Sequence, residues 1–237
     1  MILGGKSALV TGASRGIGAQ VSRSLAAAGA RVALVARSRE KLEVIAGEIG
    51  NDSFAVAADL AQREGVEAAI RQVRGTLGRA PDIIVNNAGI FAIRGIEETS
   101  SSEFDLMLGL NLSAPLAIIR AFLADMKSRR AGDIVTIGSV ADRQIFAGNA
   151  EYSATKFGAR AVHEVLREET RGTGVRATLV SPAAVDTDIW EPIQYYGSGA
   201  KPDRAGMLPA NSVSSAVLYV LTQPDQVNID EIRLSRA

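Results

Sequence analysis

Short apolar runs alternate with longer amphipathic segments along most of this 237-residue chain. The runs are rich in valine, isoleucine, leucine and alanine, which is typical of strands buried on both faces of a parallel sheet. They lie at 6–10, 31–35, 53–57, 82–85, 133–137, 175–180 and 228–234. Apolar residues recur at helical spacing in 19–28, 39–49, 62–77, 100–129, 151–171 and 211–221. The alternation predicts an α/β fold, a doubly wound parallel sheet of seven strands with helices on both faces.

One stretch breaks this alternation. Residues 186–208 are rich in glycine, proline and aromatic side chains and show no regular period. A long irregular segment inside a compact domain is usually a lid or a binding loop, so we expect a substrate loop here. The rest of the chain contains no linker, internal repeat or low-complexity segment, and its length suits one domain spanning 1–237.

Charge and composition narrow the classes of partner. Basic and acidic residues both number 26, and no basic stripe indicates nucleic acid. The lack of cysteine excludes disulfides and thiolate metal sites, and it fits a reducing, cytoplasmic location. The segment 1–6 is too short for a signal peptide before the first strand. Arg120 interrupts the longest apolar run, 110–123, so we expect no membrane span, and we expect no metal site.

The first apolar run leads into a glycine-rich turn and then a helix. The turn reads Thr11-Gly12-Ala13-Ser14-Arg15-Gly16-Ile17-Gly18. Glycine lets the backbone turn tightly and lets a phosphate come close, and the N-terminus of a helix favours an anion. The spacing could also belong to an ordinary tight turn. Its position between strand and helix favours a dinucleotide phosphate site, which makes the predicted sheet a Rossmann-type fold.

The end of the second predicted strand indicates which dinucleotide is bound. Enzymes that prefer NAD usually place an acid about 20 residues past the glycines, to hold the ribose 2′-hydroxyl. Arg37 stands there instead, and Arg15 lies inside the glycine turn. Two guanidinium groups suit a 2′-phosphate, so we expect NADP(H).

Two further strand ends carry candidate ligands of the cofactor. Asp59, followed by Leu60, could accept a hydrogen bond from an adenine amino group, or it could be the N-cap of the helix at 62–77. The next strand leads to Asn87-Ala88-Gly89, where small residues let a flat ring approach closely.

Three side chains near the fifth and sixth apolar segments could transfer a proton. Tyr152 and Lys156 are four residues apart, so they share one face of a helix. A free tyrosine has a pKa of about 10, and a neighbouring cation favours the phenolate. Ser139 follows the preceding strand and could donate a hydrogen bond to a carbonyl oxygen.

Together these positions resemble the short-chain dehydrogenase/reductase family over the full length of the chain. The resemblance rests on the glycine turn, Asp59, Asn86-Asn87-Ala88-Gly89, Asn111, Ser139, Tyr152-Ser153-Ala154-Thr155-Lys156 and 182–187. It implies that Tyr152 is the acid/base, that Ser139 orients the carbonyl, and that Lys156 holds the nicotinamide ribose and tunes Tyr152. It also implies that Asn111 holds a water that relays protons to Lys156.

The resemblance and the patterns above define a set of expected cofactor ligands. They are Gly12, Ser14, Arg15, Gly16, Ile17, Gly18, Arg37, Asp59, Leu60, Asn87, Ala88, Gly89, Tyr152, Lys156, Pro182, Val185 and Thr187, the last two against the carboxamide. Two departures stand out. Ala183 replaces the glycine that usually follows Pro182, and the chain ends without the glycine pair of many members.

Substrate contacts are expected from three loops above the nicotinamide. Phe91, Ile145, Phe146, Trp190, Tyr195 and Tyr196 would supply an apolar lining. Arg94 and Arg143 come from the loops that carry this apolar lining, and they could bind a substrate carboxylate. The single histidine, His163, has no evident partner and is expected to be packed or at an interface.

The expected activity is NADPH-dependent reduction of a ketone, diketone or keto ester, reversible as alcohol oxidation. Alternatives are a 3-oxoacyl thioester reductase or a hydroxy-acid dehydrogenase of the same family. An enoyl reductase would need a wider Tyr-to-Lys spacing, and a sugar-nucleotide epimerase would be longer. A regulator that senses NADP without turnover would not need the proton relay. Surplus apolar surface on 100–129 and 151–171, together with the resemblance, predicts a homodimer or homotetramer.

Overall fold

A computed structural model of the chain describes residues 1–191 and 203–237. Its strands are β1 (Ser7–Thr11), β2 (Arg31–Ala36), β3 (Phe54–Ala57), β4 (Ile83–Asn86), β5 (Gly132–Ile137), β6 (Val175–Pro182), β7 (Val185–Asp186), β8 (Leu208–Pro209) and β9 (Glu231–Leu234). Its helices are α1 (Gly16–Ala27), α2 (Arg39–Ile49), α3 (Arg63–Leu77), α4 (Ser101–Leu108), α5 (Ala114–Ser128), α6 (Ala150–Thr170) and α7 (Ala210–Leu221).

Seven of the strands form one sheet in the order β3-β2-β1-β4-β5-β6-β9, and every neighbouring pair is parallel. This confirms the predicted doubly wound sheet. The chain runs outward from β1 to β3 in one direction and from β4 to β9 in the other. The order therefore reverses between β1 and β4, and ligands bind in the crevice at the carboxyl ends of such strands.

Helices cover both faces of the sheet, as predicted. One core contains side chains of α1, α2 and α7, such as Leu25, Leu42 and Val217. The other contains side chains of α3, α5 and α6, such as Val73 and Phe122. Successive strand residues alternate between the two cores because the side-chain period of a strand is two. Both cores hold the strand ends in place, which is what a site built from those ends requires.

Two regions differ from the sequence prediction. The expected helix at 100–129 is two helices, α4 and α5, joined by a π-helical segment at Gly109–Ser113. The expected irregular loop at 186–208 ends in β8, which pairs with β7. Strands of two residues are too short to show a period of hydrophobic residues. A π-helical turn adds only one residue to a helix, so it barely changes the helical period. Residues 192–202 of the predicted loop lie outside the described residues.

The helical stretch Ser101–Ser128 is long and apolar enough, by length and composition, to cross a membrane. The sequence analysis did not expect any such stretch. A third of its most apolar window is buried, and Ile118, Phe122 and Met126 of α5 are part of the core. A core helix meets the same criteria, so the stretch alone does not indicate a membrane span. The exposed remainder of its apolar surface is available to a partner.

Candidate active site

A cavity of about 1040 Å³ lies at the carboxyl ends of β1, β4, β5 and β6. Most residues expected from the sequence line it. They are Gly12, Ser14, Arg15, Gly16, Ile17, Arg37, Asp59, Leu60, Asn87, Ala88, Gly89, Phe91, Ser139, Phe146, Tyr152, Lys156, Pro182, Val185, Thr187 and Trp190. The topology thus brings together segments that are far apart in the sequence, as the switch point of the sheet requires.

The turn after β1 can be made only with glycine at two positions. Gly12 has a φ of +67°, and a Cβ there would lie 2.9 Å from the Cα of Ala88. A Cβ on Gly18 would lie 2.3 Å from the carbonyl oxygen of Gly12. Gly18 does not line the cavity, and its role is to let α1 pack closely against the backbone of Gly12. The first turn of α1 carries no acidic residue, which leaves the positive end of the helix dipole available to an anion.

Hydrogen bonds fix the crevice between β1 and β4. The backbone N–H groups of Asn87 and Ala88 both donate to the Thr11 hydroxyl, each at 2.9 Å. The Asn87 side chain donates in turn to the Thr11 carbonyl oxygen at 2.8 Å. These bonds join the two strand ends on either side of the switch point. A planar group entering the crevice therefore meets a preformed wall, which lowers the entropic cost of binding.

The far end of the cavity carries three cations. Arg15 and Arg37, which the sequence singles out, are joined there by Lys41 and by Ser38. The Ser38 hydroxyl accepts a hydrogen bond from the Lys41 backbone N–H at 3.5 Å and caps α2. Sequence reasoning missed both residues, although an N-cap serine directly after Arg37 is a readable signal. Three cations beside a helix start suit a phosphate group.

Asp59 does not cap the helix that follows it. The N-cap of α3 is Gln62, and the Asp59 carboxylate accepts instead from the Ala61 backbone N–H at 3.1 Å. The N-cap alternative is therefore wrong, because the chain makes a further turn before α3 begins. Asp59 also lines the cavity, so the carboxylate remains available to a ligand.

The predicted proton-transfer residues meet on one wall of the cavity. Lys156 is buried, its Nζ lies 5.5 Å from the centre of the Tyr152 ring, and it donates to the carbonyl oxygen of Ile137 at 2.9 Å. The Ser139 hydroxyl accepts from the Ala141 backbone N–H at 3.1 Å and keeps its own proton for another acceptor. A hydroxyl donor, a phenol and an ammonium therefore face the same space.

Asn111 is buried beneath this wall and does not line the cavity. Its side-chain oxygen accepts from the Ile90 backbone N–H at 2.9 Å. Its amide nitrogen donates to the Ile90 carbonyl oxygen at 2.9 Å and to the Thr155 hydroxyl at 3.2 Å. Both amide hydrogens are thus engaged. The side chain ties the π-helical segment, which often marks a functional site, to the loop after β4 and to α6.

Aromatic rings close the cavity opposite the sheet. The ring centre of Phe91 lies 4.6 Å from that of Tyr152 and 5.2 Å from that of Trp190, both edge-on. The Trp190 indole N–H donates to the Val185 carbonyl oxygen at 2.9 Å. We call Phe91, Tyr152 and Trp190 the aromatic wall. Tyr195 and Tyr196, expected in the same lining, lie outside the described residues.

Three residues expected to contact substrate do not line the cavity. Ile145 is 72% exposed. Arg94 pairs with Glu103 of α4 at 2.7 Å, and Arg143 pairs with Asp142 at 2.7 Å and with Glu231. Burial acts to lower the pKa of Arg143, but the bonds to its two acids outweigh it and raise the pKa. Both arginines are thus paired with acids that lie outside the cavity lining.

A buried carboxylate that the sequence analysis missed connects the catalytic segments. The side chain of Asp142 is fully buried and accepts a hydrogen bond from Ser181 of β6 at 2.5 Å. Its other oxygen lies 3.8 Å from the guanidinium of Arg160, one turn beyond Lys156 on α6. The Asp142 backbone N–H also donates to the Ser139 carbonyl oxygen at 2.9 Å. This carboxylate thus connects three segments: the turn that carries Ser139, the helix α6 that carries Tyr152, and the strand β6.

Comparison with known proteins agrees with this geometry. A family model described as short chain dehydrogenase matches residues 6–195. The chain is 33% identical to an uncharacterized oxidoreductase of Staphylococcus aureus strain MW2, over 98% of this chain and 97% of that one.

Two solved structures are similar in both sequence and fold. One is a metagenomic short-chain oxidoreductase in complex with NADP, with 33% identity, a TM-score of 0.85, and coverage of 100% of this chain and 99% of that one. The other is an alcohol dehydrogenase from the archaeon Thermococcus sibiricus complexed with 5-hydroxy-NADP, with 32% identity, a TM-score of 0.84, and coverage of 97% and 95%.

Proposed function

Because this chain belongs to the short-chain dehydrogenase/reductase family of oxidoreductases, we propose that it interconverts a small carbonyl compound and its alcohol with NADP(H). The observation that carries the proposal is the shared cavity. Ser139, Tyr152 and Lys156 line one part of it, and the glycine turn and three cations line another. A dinucleotide bound along the cavity would bring its nicotinamide to the proton-transfer residues.

The residues present fit NADP(H). Gly12 and Gly16 line the cavity without a side chain that would block a pyrophosphate, and the start of α1 offers free N–H groups to it. Arg15, Arg37 and Lys41 supply three positive charges for a 2′-phosphate. Both solved structures described above carry NADP or a derivative of it. When bound, the cofactor supplies or accepts the hydride at the carbonyl carbon.

Each catalytic side chain has a separate task in this proposal. The Ser139 hydroxyl donates a hydrogen bond to the carbonyl oxygen and holds it toward Tyr152. The Tyr152 hydroxyl gives its proton to that oxygen as negative charge develops there. The Lys156 ammonium, 5.5 Å from the centre of the phenol ring, holds the nicotinamide ribose beside Tyr152. Asn111 retains the role of holding a relay water, through its main-chain carbonyl oxygen, because its amide hydrogens are engaged.

A ketone, diketone or keto ester is the proposed substrate, and a 3-oxoacyl thioester or a hydroxy acid is the alternative. Measuring NADPH oxidation with the carbonyl compounds and NADP⁺ reduction with the hydroxy acids tests the proposal, and an enoyl thioester is the negative control. We expect turnover with at least one carbonyl compound and none with the enoyl thioester. Binding of NADPH without turnover of any compound would favour the alternative of a regulator that senses NADP.

We also propose that the enzyme is a cytoplasmic homodimer or homotetramer. Apolar side chains on α4, α5 and α6 are partly exposed to solvent. They are Leu106 (43%), Leu116 (46%), Phe157 (40%) and Val165 (57%). Exposed apolar side chains on neighbouring helices favour an interface with another subunit. Light scattering at micromolar concentration tests the assembly, and a monomer would contradict it.

A further inference from the structure

The substrate end of the cavity, around Tyr152, is mainly apolar and aromatic. Ile93, Leu110 and Phe146 line the cavity together with the aromatic wall, and Gln144 and Asn149 are polar but uncharged members of the lining. Phe91 contacts Tyr152 and Trp190 edge-on, and an aryl group can pack against these rings. Since the Trp190 indole N–H is already bonded to Val185, it is not free to orient a polar substrate group.

Charged residues of the lining are concentrated at the other end. Among the described residues, the charged side chains that line the cavity are Arg15, Arg37, Lys41, Asp59, Lys156 and Asp188. The first four surround the proposed adenosine and 2′-phosphate. Lys156 is buried and already donates to the Ile137 carbonyl oxygen. The remaining charge, Asp188, lies beside Arg15, whose guanidinium donates to the Asp188 carbonyl oxygen at 3.4 Å, and it adds no cation to the substrate end.

Two arginines from neighbouring loops do not add a positive charge to the substrate end of the cavity. Arg94 and Arg143 do not line the cavity, and each pairs with a carboxylate at 2.7 Å. Diverting Arg143 to a substrate would take the nearest cation away from Asp142, which is fully buried. Weakening the pairing of a buried charge is costly.

We propose that the substrate is an uncharged ketone or keto ester with a flat apolar substituent, such as an aryl group, and not a keto or hydroxy acid. The inference rests on the proposed function. The substituent packs against Phe91 and Trp190, while the carbonyl oxygen lies between Ser139 and Tyr152. A substrate carboxylate would lose its water without gaining a cation among the described residues.

Three ketones that differ in one feature at a time test the proposal. Methyl benzoylformate and benzoylformate share the ring and the keto group but differ in charge. Methyl pyruvate keeps the ester and replaces the ring with a methyl group. We expect kcat/KM for methyl benzoylformate to exceed that for benzoylformate by roughly 100-fold or more, because a buried group without its partner is strongly rejected. We expect it to exceed that for methyl pyruvate by roughly 10-fold, the worth of a few apolar groups.

A variant tests whether the aromatic wall causes the preference. Phe91→Leu keeps an apolar side chain and removes the ring. It should lower kcat/KM for methyl benzoylformate about 10-fold more than it lowers kcat/KM for methyl pyruvate. Phe54→Leu makes the same change on β3, outside the cavity lining, and should preserve the ratio of the two esters.

The outcomes separate this inference from the proposed function. Equal or faster turnover of benzoylformate, or an unchanged ratio in Phe91→Leu, overturns the inference while the oxidoreductase assignment stands. If none of the three ketones and no member of the wider carbonyl panel is turned over, the proposed function fails, and the inference fails with it.

Discussion

The two ends of the cavity are built in different ways. At the nucleotide end, formed by the loops after β1, β2 and β3, backbone turns and partly or fully exposed cations make the wall. Gly12 and Gly18 matter there because a side chain at either position would clash with neighbouring backbone atoms. At the catalytic end, formed by β5, β6 and α6, buried side chains are held by bonds between distant segments. Asp142 and Lys156 are buried there, and both are bonded to other elements.

This difference predicts how the two ends respond to substitution. Changes at exposed cations of the nucleotide end should alter which cofactor binds while the chemical step persists. Changes at Tyr152 and Asp142 of the catalytic end should lower turnover or stability while cofactor affinity persists. The experiments below on Tyr152, Asp142 and Arg37 measure both properties, so that a mixed result would break the distinction.

The largest effect is expected from Tyr152→Phe. The change keeps the ring and its contact with Phe91 but removes the hydroxyl that donates the proton. Turnover should fall by a factor of about 10² to 10⁴, the usual contribution of a positioned general acid. NADPH affinity should change little, because its phosphate contacts lie at the other end. Steady-state kinetics and fluorescence titration with NADPH check the two parts, and near-normal kcat would refute the assigned role.

Asp142→Asn should have the next largest effect. The variant keeps the shape of the side chain but removes the charge that faces Arg143 and Arg160. We expect a loss of about 2–3 kcal/mol in the free energy of unfolding, the range for hydrogen bonds to charged groups. For a chain of this size that is about 4–12 °C in Tm. Thermal melting measures the loss.

A matched control makes the Asp142 result specific. Asp225→Asn alters an exposed aspartate that makes no ion pair among the described residues, and it should leave Tm within about 1 °C. Asp142→Asn should also lower kcat while the dissociation constant of NADPH is unchanged, because the turn that carries Ser139 is held less firmly to β6. An unchanged kcat would mean that Asp142 stabilises the fold without positioning Ser139.

Arg37→Asp should have a smaller effect, confined to the nucleotide end. It removes an attraction for the 2′-phosphate and adds a repulsion. We expect the preference for NADPH over NADH to fall by about 10- to 100-fold, with kcat at saturating cofactor nearly unchanged. Parallel kinetics with both cofactors measure this, and Arg39→Asp, at an arginine outside the cavity lining, is the control. A preserved preference would remove Arg37 from the site.

The smallest effect concerns the pH dependence of stability at the catalytic end. Burial lowers the pKa of His163, and its bond to the Asp230 carbonyl oxygen offsets this only in part. As pH falls below about 6.5, the unfolded chain therefore binds a proton before the folded chain does, and stability is lost. His163→Gln should reduce the fall in Tm between pH 7.5 and pH 5.5. Parallel slopes for both proteins would contradict the assignment.

The sequence was most informative where backbone geometry determines the site. Gly12 and Gly18 stand between a strand and a helix, and local spacing is enough to identify that arrangement. The same holds for Tyr152 and Lys156, because residues four apart on a helix share a face. His163 was expected to be packed or at an interface, and it is buried at 2% exposure.

The sequence was less informative where bonds cross between distant segments. The pairing of Arg143 with Glu231 could not be predicted, because Glu231 lies 88 positions further along the chain and only the fold brings the two together. Asp142 was missed for the same reason, since its partner Ser181 is 39 residues away. The π-helical segment around Asn111 was also not predicted, because its residues are types that an ordinary α-helix accepts as well.

The position of Trp190 has a practical consequence. It is the only tryptophan of the chain, it lines the cavity, and its ring contacts Phe91. Its emission therefore reports on this one location without any label. A reduced nicotinamide nearby should quench that emission by energy transfer, and a stacked aryl ketone should shift it. Binding of each reactant could then be followed optically, in real time and before any turnover.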